Sequence, residues 1–398
     1  MTELRPLGSG ADQSLTPAVP TPEPEVEQAE GVGLCGVLIG SPILTALLAV
    51  VPVGIYAHYQ EWNSELVFAL NFVGIIPMAW LIGKSTEDLA LVTGDVIGGL
   101  LNATFGNVVE MLLCVAGIQQ NQLSVTKCTL VGSILSNVLL VMGCSFLIGG
   151  CFYKTQNFCA SGASVQVSLL VLGTMSLALP TMFYTLLGAE EERMLQDSRA
   201  VSCMLLAVYV AYLYFQIRTH PHIFQSEEAD DDEVPDMYAS TATVLLAVCT
   251  VITSVMTDFL VDSIEGTVES WQLSQEFIGI ILLPIIGNAV EHYSAISVAA
   301  KNKMDLSLGV AAGSGCQMAL FVTPFTVIAG WVMDKPMSLD FHPFQVIVML
   351  ASVLMANTTL QDGASNWLEG LMLVVAYIMV GAVYFVQLPS ETHTLLAG

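Results

Sequence analysis

The sequence predicts an all-α integral membrane protein of about eleven transmembrane helices, an inverted 5+5 repeat preceded by one extra N-terminal helix. Three observations predict it: a composition too apolar for a soluble domain, apolar stretches of membrane-crossing length, and a motif that returns after five crossings. Of 398 residues, 54% are hydrophobic and 11% charged, with a mean hydropathy of +0.70. A soluble domain carries about 25% charged residues.

The apolar stretches cover 34–57, 63–83, 96–118, 124–152, 163–188, 200–217, 240–261, 277–300, 305–332, 343–361 and 367–387. Each approaches the length of about 20 residues that crosses roughly 30 Å of hydrocarbon as a helix, the form that satisfies its own backbone there. Residues 1–33 hold Pro17, Pro20, Pro22 and Pro24 among acids and small polar residues, and read as a disordered tail. No basic stretch leads from them into a short apolar core, so a cleaved signal peptide is not expected. Arg5, Lys84, Lys154, Arg218, Lys301 and Lys303 fall on one side of this layout, and Arg193, Arg199 and Lys335 on the other. The bias favours a cytosolic N-terminus.

The repeat is legible directly. GNVVE at 106–110 returns as GNAVE at 287–291, and Gly132-Ser133 returns as Gly313-Ser314, both at an offset of 181 residues. Between Gly98 and Asn137 that offset gives nine identities in forty positions. Glu110 and Glu291 lie five crossings apart, so the two copies enter the membrane in opposite directions, a plan common among secondary transporters. The chain then divides into an extra first helix (34–57), a first repeat (63–217), an acidic linker (218–239), a second repeat (240–387) and a C-terminal tail (388–398). Seven of the ten residues 227–236 are acidic, which reads as a solvated linker or as a surface that gathers cations.

On a continuous helix Gly106, Asn107 and Glu110 would share one face, as would Gly287, Asn288 and Glu291. A carboxylate inside a bilayer is costly and marks an ion or proton path by default. A structural carboxylate would want a basic partner, and the only candidate inside a nearby span is Lys127. Hard divalent cations take oxygen ligands, which Glu110, Glu291, Asn107 and Asn288 supply. Ser133, Ser136, Ser314 and Gln317 on the following spans are expected to complete the shell, and Pro284 to free a backbone carbonyl one turn earlier. Close helix packing is the plainer account of the glycines and serines. Two facing carboxylates cannot both stay ionised without a cation, so the same oxygens hold either a divalent ion or protons. Exclusive occupancy is a physical basis for exchange.

Other classes find little support. The formal charge of −25 with ten basic residues excludes a nucleic-acid surface, and nine cysteines without a CxxC pair argue against a disulfide or zinc framework. No nucleophile, base or metal spacing surrounds the six histidines, and His220-Pro221-His222 reads as a surface loop, so an enzyme is not expected. A channel commonly builds its pore around an axis between subunits, whereas this motif lies between internal repeats.

LNATFGNVVE at 101–110, GSILSNVLLVMG at 132–143, IGNAVEH at 286–292 and KNKMDLSLGVAAGSGCQMALFVTPF at 301–325 resemble the vacuolar-type cation/proton exchangers of the Ca2+/cation antiporter superfamily, over residues 43–387. The resemblance implies eleven helices, Ca2+ or another divalent cation such as Mn2+ exchanged for H+ across a vacuolar or other acidic endomembrane, and no cofactor beyond the transported ions. It implies ion-binding glutamates at Glu110 and Glu291, with Gly106, Asn107, Gly287, Asn288, Ser314 and Gln317 beside them. It also implies acids along a cytosolic access path, here Glu87, Asp258 and Asp262, and a role for His292 in proton transfer or orientation. Asp258 stands where the family usually has Glu, Lys127 where many members have Gln, and Cys316 where a small residue is usual. A Na+-coupled Ca2+ exchanger shares the inverted plan but resembles a motif set with Ser, Thr and Pro beside the acid, which GNVVE and GNAVE lack.

Overall fold

The computed structural model describes residues 33–188, 190–224 and 234–387. The expected tails and the body of the acidic linker, 225–233, lie outside these residues. Among the described residues nine helices are long and apolar enough to cross a membrane, and two bent pairs raise the number of spans to eleven. In chain order they are α1 (Pro42–Tyr59), α2 (Ser64–Thr93), the bent pair α3 (Ile97–Phe105) and α4 (Val108–Gln119), α5 (Leu123–Phe152), α6 (Ala160–Leu186), α7 (Glu191–Thr219), α8 (Ala239–Asp262), the bent pair α9 (Gln275–Gly287) and α10 (Ala289–Ala300), α11 (Met304–Val332), α12 (Pro343–Leu360) and α13 (Trp367–Val386). A two-residue strand β1 (Gln156–Asn157) pairs antiparallel with β2 (Ala364–Ser365), tying two loops at the linker face.

Several boundaries depart from the sequence reading for local reasons. The first helix is not continuous from 34: Gly33–Gly40 stops at Ser41, and Pro42 restarts the chain at a helix N-terminus, where its missing N–H costs nothing. α2 runs ten residues beyond the expected limit of 83. Ser85, Thr86 and Asp88 there are buried rather than loop-exposed, so polar composition hid a helix whose last turns are covered by protein. Pro77 sits inside α2 without ending it.

The halves interlock rather than stand apart. α2 and α8, the first helices of the two repeats, share an apolar core, with Met256 of α8 filling the space that Gly74 leaves open. A second core joins α5, α6, α11, α12 and α13. At Gly370 of α13 the backbone of α5 comes so close that an added Cβ would lie 2.7 Å from the Gly143 carbonyl oxygen. Gly370→Leu is therefore expected to push α13 off α5 and to cost about 1–3 kcal/mol or more, as overpacking does. Gly309→Ala, where an added Cβ meets open space, is the control and is expected to gain about 0.5–1 kcal/mol from helix propensity. Thermal unfolding of the purified variants checks both.

Candidate functional site

Both copies of the GNxVE motif break their helix. α3–α4 bends by 45° and α9–α10 by 58°. Asn107 (φ −114°, ψ 20°) and Asn288 (φ −91°, ψ 15°) leave helical geometry, and each begins a new helix in which the glutamate is the third residue. Gly106 and Glu110 thus do not share one face of a continuous helix, and neither do Gly287 and Glu291. Instead each carboxylate sits in the first turn of a half-helix, where the positive end of the helix dipole favours an anion. The glycines serve two purposes: a Cβ at Gly106 would lie 2.5 Å from the Asn102 carbonyl of its own last turn, and one at Gly287 would lie 2.9 Å from Glu110 Oε1. Gly287 therefore gives room to the carboxylate of the opposite repeat.

The asparagines connect the halves. Asn107 Nδ2 donates to Gln317 Oε1 on α11, Asn288 Nδ2 donates to the Ser133 carbonyl on α5 at 3.4 Å, and Asn137 Nδ2 donates to Asn288 Oδ1 at 3.5 Å. At this level α5 and α11 each widen into a π-helical turn, Ser136–Val141 and Met318–Val322, at positions the repeat relates to within a residue. Such turns recur at functional sites because they re-aim side chains and leave backbone groups less regularly paired. Pro284 cannot donate to Ile280, and the Ile280 carbonyl packs where Gly132 lacks a side chain, against α5.

Six oxygens at this junction are buried without a hydrogen-bond partner: both of Glu110, Oε2 of Glu291, Oδ1 of Asn137, and the hydroxyls of Ser133 and Ser136. Neither glutamate forms an ion pair with a basic side chain among the described residues. Lys127, the one basic candidate, points elsewhere, donating to Ser338 Oγ at 2.9 Å and to the Asp340 carbonyl at 2.6 Å. An unsatisfied buried polar group costs about 1–3 kcal/mol, and more if charged, so such a cluster calls for a cation or protons. His292 Nδ1 lies 2.7 Å from the Asn288 carbonyl, which can only accept, so Nδ1 carries the hydrogen. Its Nε2 is then a buried lone pair without a partner.

A cavity of about 380 Å³ leads to the junction from the linker face, lined by Glu87, Asn102, Gly106, Glu291, Asp305, Ser314 and Gln317 among others. Glu291 borders it, whereas Glu110 is absent from its walls and 1% exposed. At the far face the connection between α11 and α12 carries a largely buried segment, Met337–Phe341. Thr181 Oγ1 holds this segment at Phe341 N (2.9 Å), Ser198 Oγ holds it at Leu339 N (3.0 Å), and Lys127 bonds as above.

The expected access acids separate. Glu87 lines the linker-side cavity, but Asp258 and Asp262 stand at the opposite end of the bundle. There the Asp258 carbonyl accepts from Gln120 Nε2 at 2.9 Å, and Asp262 lies 4.0 Å from His58. Counting crossings accounts for the correction: α2 ends and α8 begins at the linker face, so acids late in each helix lie on opposite faces. Sequence reasoning missed Asn137, Asp88 and Asp305. Asn137 adjoins Ser136 within a membrane-length span, where an amide is costly, which was a usable signal. Asp88 accepts from the amides of Asp236 (3.2 Å) and Met237 (3.1 Å) and pairs with Lys84 (3.3 Å), pinning the end of the acidic linker to α2. Nothing local distinguishes it from Glu87.

Two carboxylates in matched half-helices, where inverted repeats meet beside a cavity, follow the plan of a secondary transporter. The sodium/calcium exchanger protein family matches residues 63–218 and 241–386, and the chain belongs to that family. It is 42% identical to a Ca(2+)/H(+) antiporter of Aphanothece halophytica, over 86% of this chain and 96% of that one. It is 41% identical to vacuolar cation/proton exchanger 5 of Arabidopsis thaliana, over 88% and 82%. The solved structure of native YfkE superposes with a TM-score of 0.77 at 33% identity, over 87% of this chain and all of that one.

Gly287→Val would set side-chain atoms against Glu110 Oε1. It is expected to lower the initial rate of cation transport in membrane vesicles at least roughly tenfold, since small displacements at a reacting centre cost that much or more. Because the added atoms also overpack a buried position, a lower unfolding temperature is expected as well, and transport is compared per folded protein.

Proposed function

We propose that this chain exchanges Ca2+ for protons by alternating access at the Glu110–Glu291 pair. The six buried oxygens without partners, contributed by both repeats, carry this reading. Ca2+ takes six to eight oxygen ligands, and the carboxylates with Ser133, Ser136, Ser314, Asn107, Asn288 and Gln317 supply the type it needs. Protons on the glutamates neutralise the same pair when the cation leaves, so the site can cross between its two openings without stranding buried charge. Relatives named as Ca(2+)/H(+) antiporters and vacuolar cation/proton exchangers support the ion pair and an acidic endomembrane. Carboxylates and amides discriminate weakly between Ca2+ and Mn2+, so Mn2+ is a second substrate of the same site. The ions are substrates, the bilayer is the solvent, and no further cofactor enters the cycle.

Movement of helices from both repeats around this site then alternates its openings, with the linker face, cytosolic by the charge bias, open in this conformation. His292 Nε2 and Glu87 are the groups on this side able to pass protons to Glu291. Asp258 and Asp262 serve the opposite opening.

Glu110→Gln and Glu291→Gln each keep the shape and delete a charged, proton-carrying ligand. Each is expected to abolish Ca2+ exchange in proteoliposomes while the protein stays folded; near wild-type transport by either rules out the pair.

Coupling is read at flux reversal under clamped zero voltage. Each pH unit supplies about 1.4 kcal/mol per proton, so two protons shift the balancing Ca2+ gradient by about two decades per pH unit, and three protons by about three. A balance point that ignores pH and follows sodium instead would establish the Na+-coupled alternative.

A further inference from the structure

We propose that Asp305 is the carboxylate through which the cation passes between the linker-side opening and Glu291, an outer station that sets apparent affinity from that face alone. The proposal rests on the paired-glutamate reading.

Asp305 stands in the first turn of α11 and borders the same cavity as Glu291. It also borders a second crevice, between α6 and the segment Gln216–Phe224, so it lies where two openings meet. The innermost end of the route is a carboxylate oxygen in need of a ligand, since Glu291 Oε2 is buried with no partner. Glu87 faces the route from α2, and exposure falls from Glu87, which is exposed, to Asp305, which is half-buried.

The position of Asp305 is built. Its Oδ1 accepts the Cys159 N–H at 2.6 Å. The turn before it is clamped from the same loop: Gln156 Nε2 donates to the Ala299 carbonyl at 2.9 Å and to Asn302 Oδ1 at 3.0 Å, and Gln156 is itself held by its pairing with Ser365. A neutral amide fixes the carboxylate without cancelling its charge. A fixed negative charge in a narrow, partly desolvated opening concentrates cations at the mouth and speeds their entry. It does not alter the occupied site or the conformational change, so its effect falls on half-saturation from one face and spares the maximal rate.

The test uses the full chain in sealed vesicles of both orientations, with Ca2+ as the probe. Asp305→Asn retains an acceptor for the Cys159 amide and is expected to raise half-saturating Ca2+ about fivefold from the linker face, with the maximal rate within about twofold and the opposite face unaffected. Higher ionic strength should narrow the gap, because salt screens the charge but not a packing defect. Gly309→Lys probes the same point without touching the Asp305–Cys159 bond: it lies one turn on, borders both openings, and an added Cβ there meets open space. It should raise half-saturation on the same face and stands as the test if Asp305→Asn fails to fold. Unchanged half-saturation in Gly309→Lys and any folded Asp305→Asn, with Glu291→Gln inactive, overturns the role of Asp305 alone. An equal shift from both faces also overturns it. Transport by Glu291→Gln would remove the paired-glutamate reading and this role with it.

Discussion

Carboxylates buried in a hydrocarbon layer without basic partners cost several kcal/mol, and the structure holds two of them, Glu110 and Glu291, where its inverted halves meet. Much else in the bundle answers that constraint. Broken helices present the positive ends of two half-helices to the acids, and asparagines at the breaks tie each half to the other. Gly287 makes the space that Glu110 occupies. No single device removes the cost, which leaves the oxygens to be satisfied by something that comes and goes.

Repetition in sequence does not give equal surroundings. Glu291 borders a water-sized route to the linker face, while Glu110 is sealed. Gly132 packs against the Ile280 carbonyl, but its counterpart Gly313 meets only Gln166 Nε2 at 3.5 Å. The cavity thus reaches one of the two matched glutamates and not the other.

The far face has its own chemistry. Lys127 reaches from the first repeat to Ser338 and Asp340 between α11 and α12, and lies 6.0 Å from the Phe341 ring. An ammonium with three donors holds this non-helical segment more fully than a neutral amide would. At the linker face Asp88 and Lys84 do comparable work, anchoring Asp236 beside the cavity.

The sequence by itself determined the solvent, the number of crossings and the recurrence of the glutamate motif, because these depend on composition, segment length and a repeat that needs no contact to be seen. Sequence alone also singled out Asn107 and Asn288, which return with the repeated motif, and Gln317 as an oxygen donor on a following span. Helix continuity at Gly106 was misjudged, for periodicity cannot register a break whose cause is an asparagine bonding across to the other half. Only the tertiary structure decided that Asp88 anchors while Glu87 lines a cavity, and that Asp305 joins Glu291 in one opening. Those are relations between segments far apart in the chain, and they exist only once the helices are packed, when burial and neighbours rather than residue type decide what a carboxylate does.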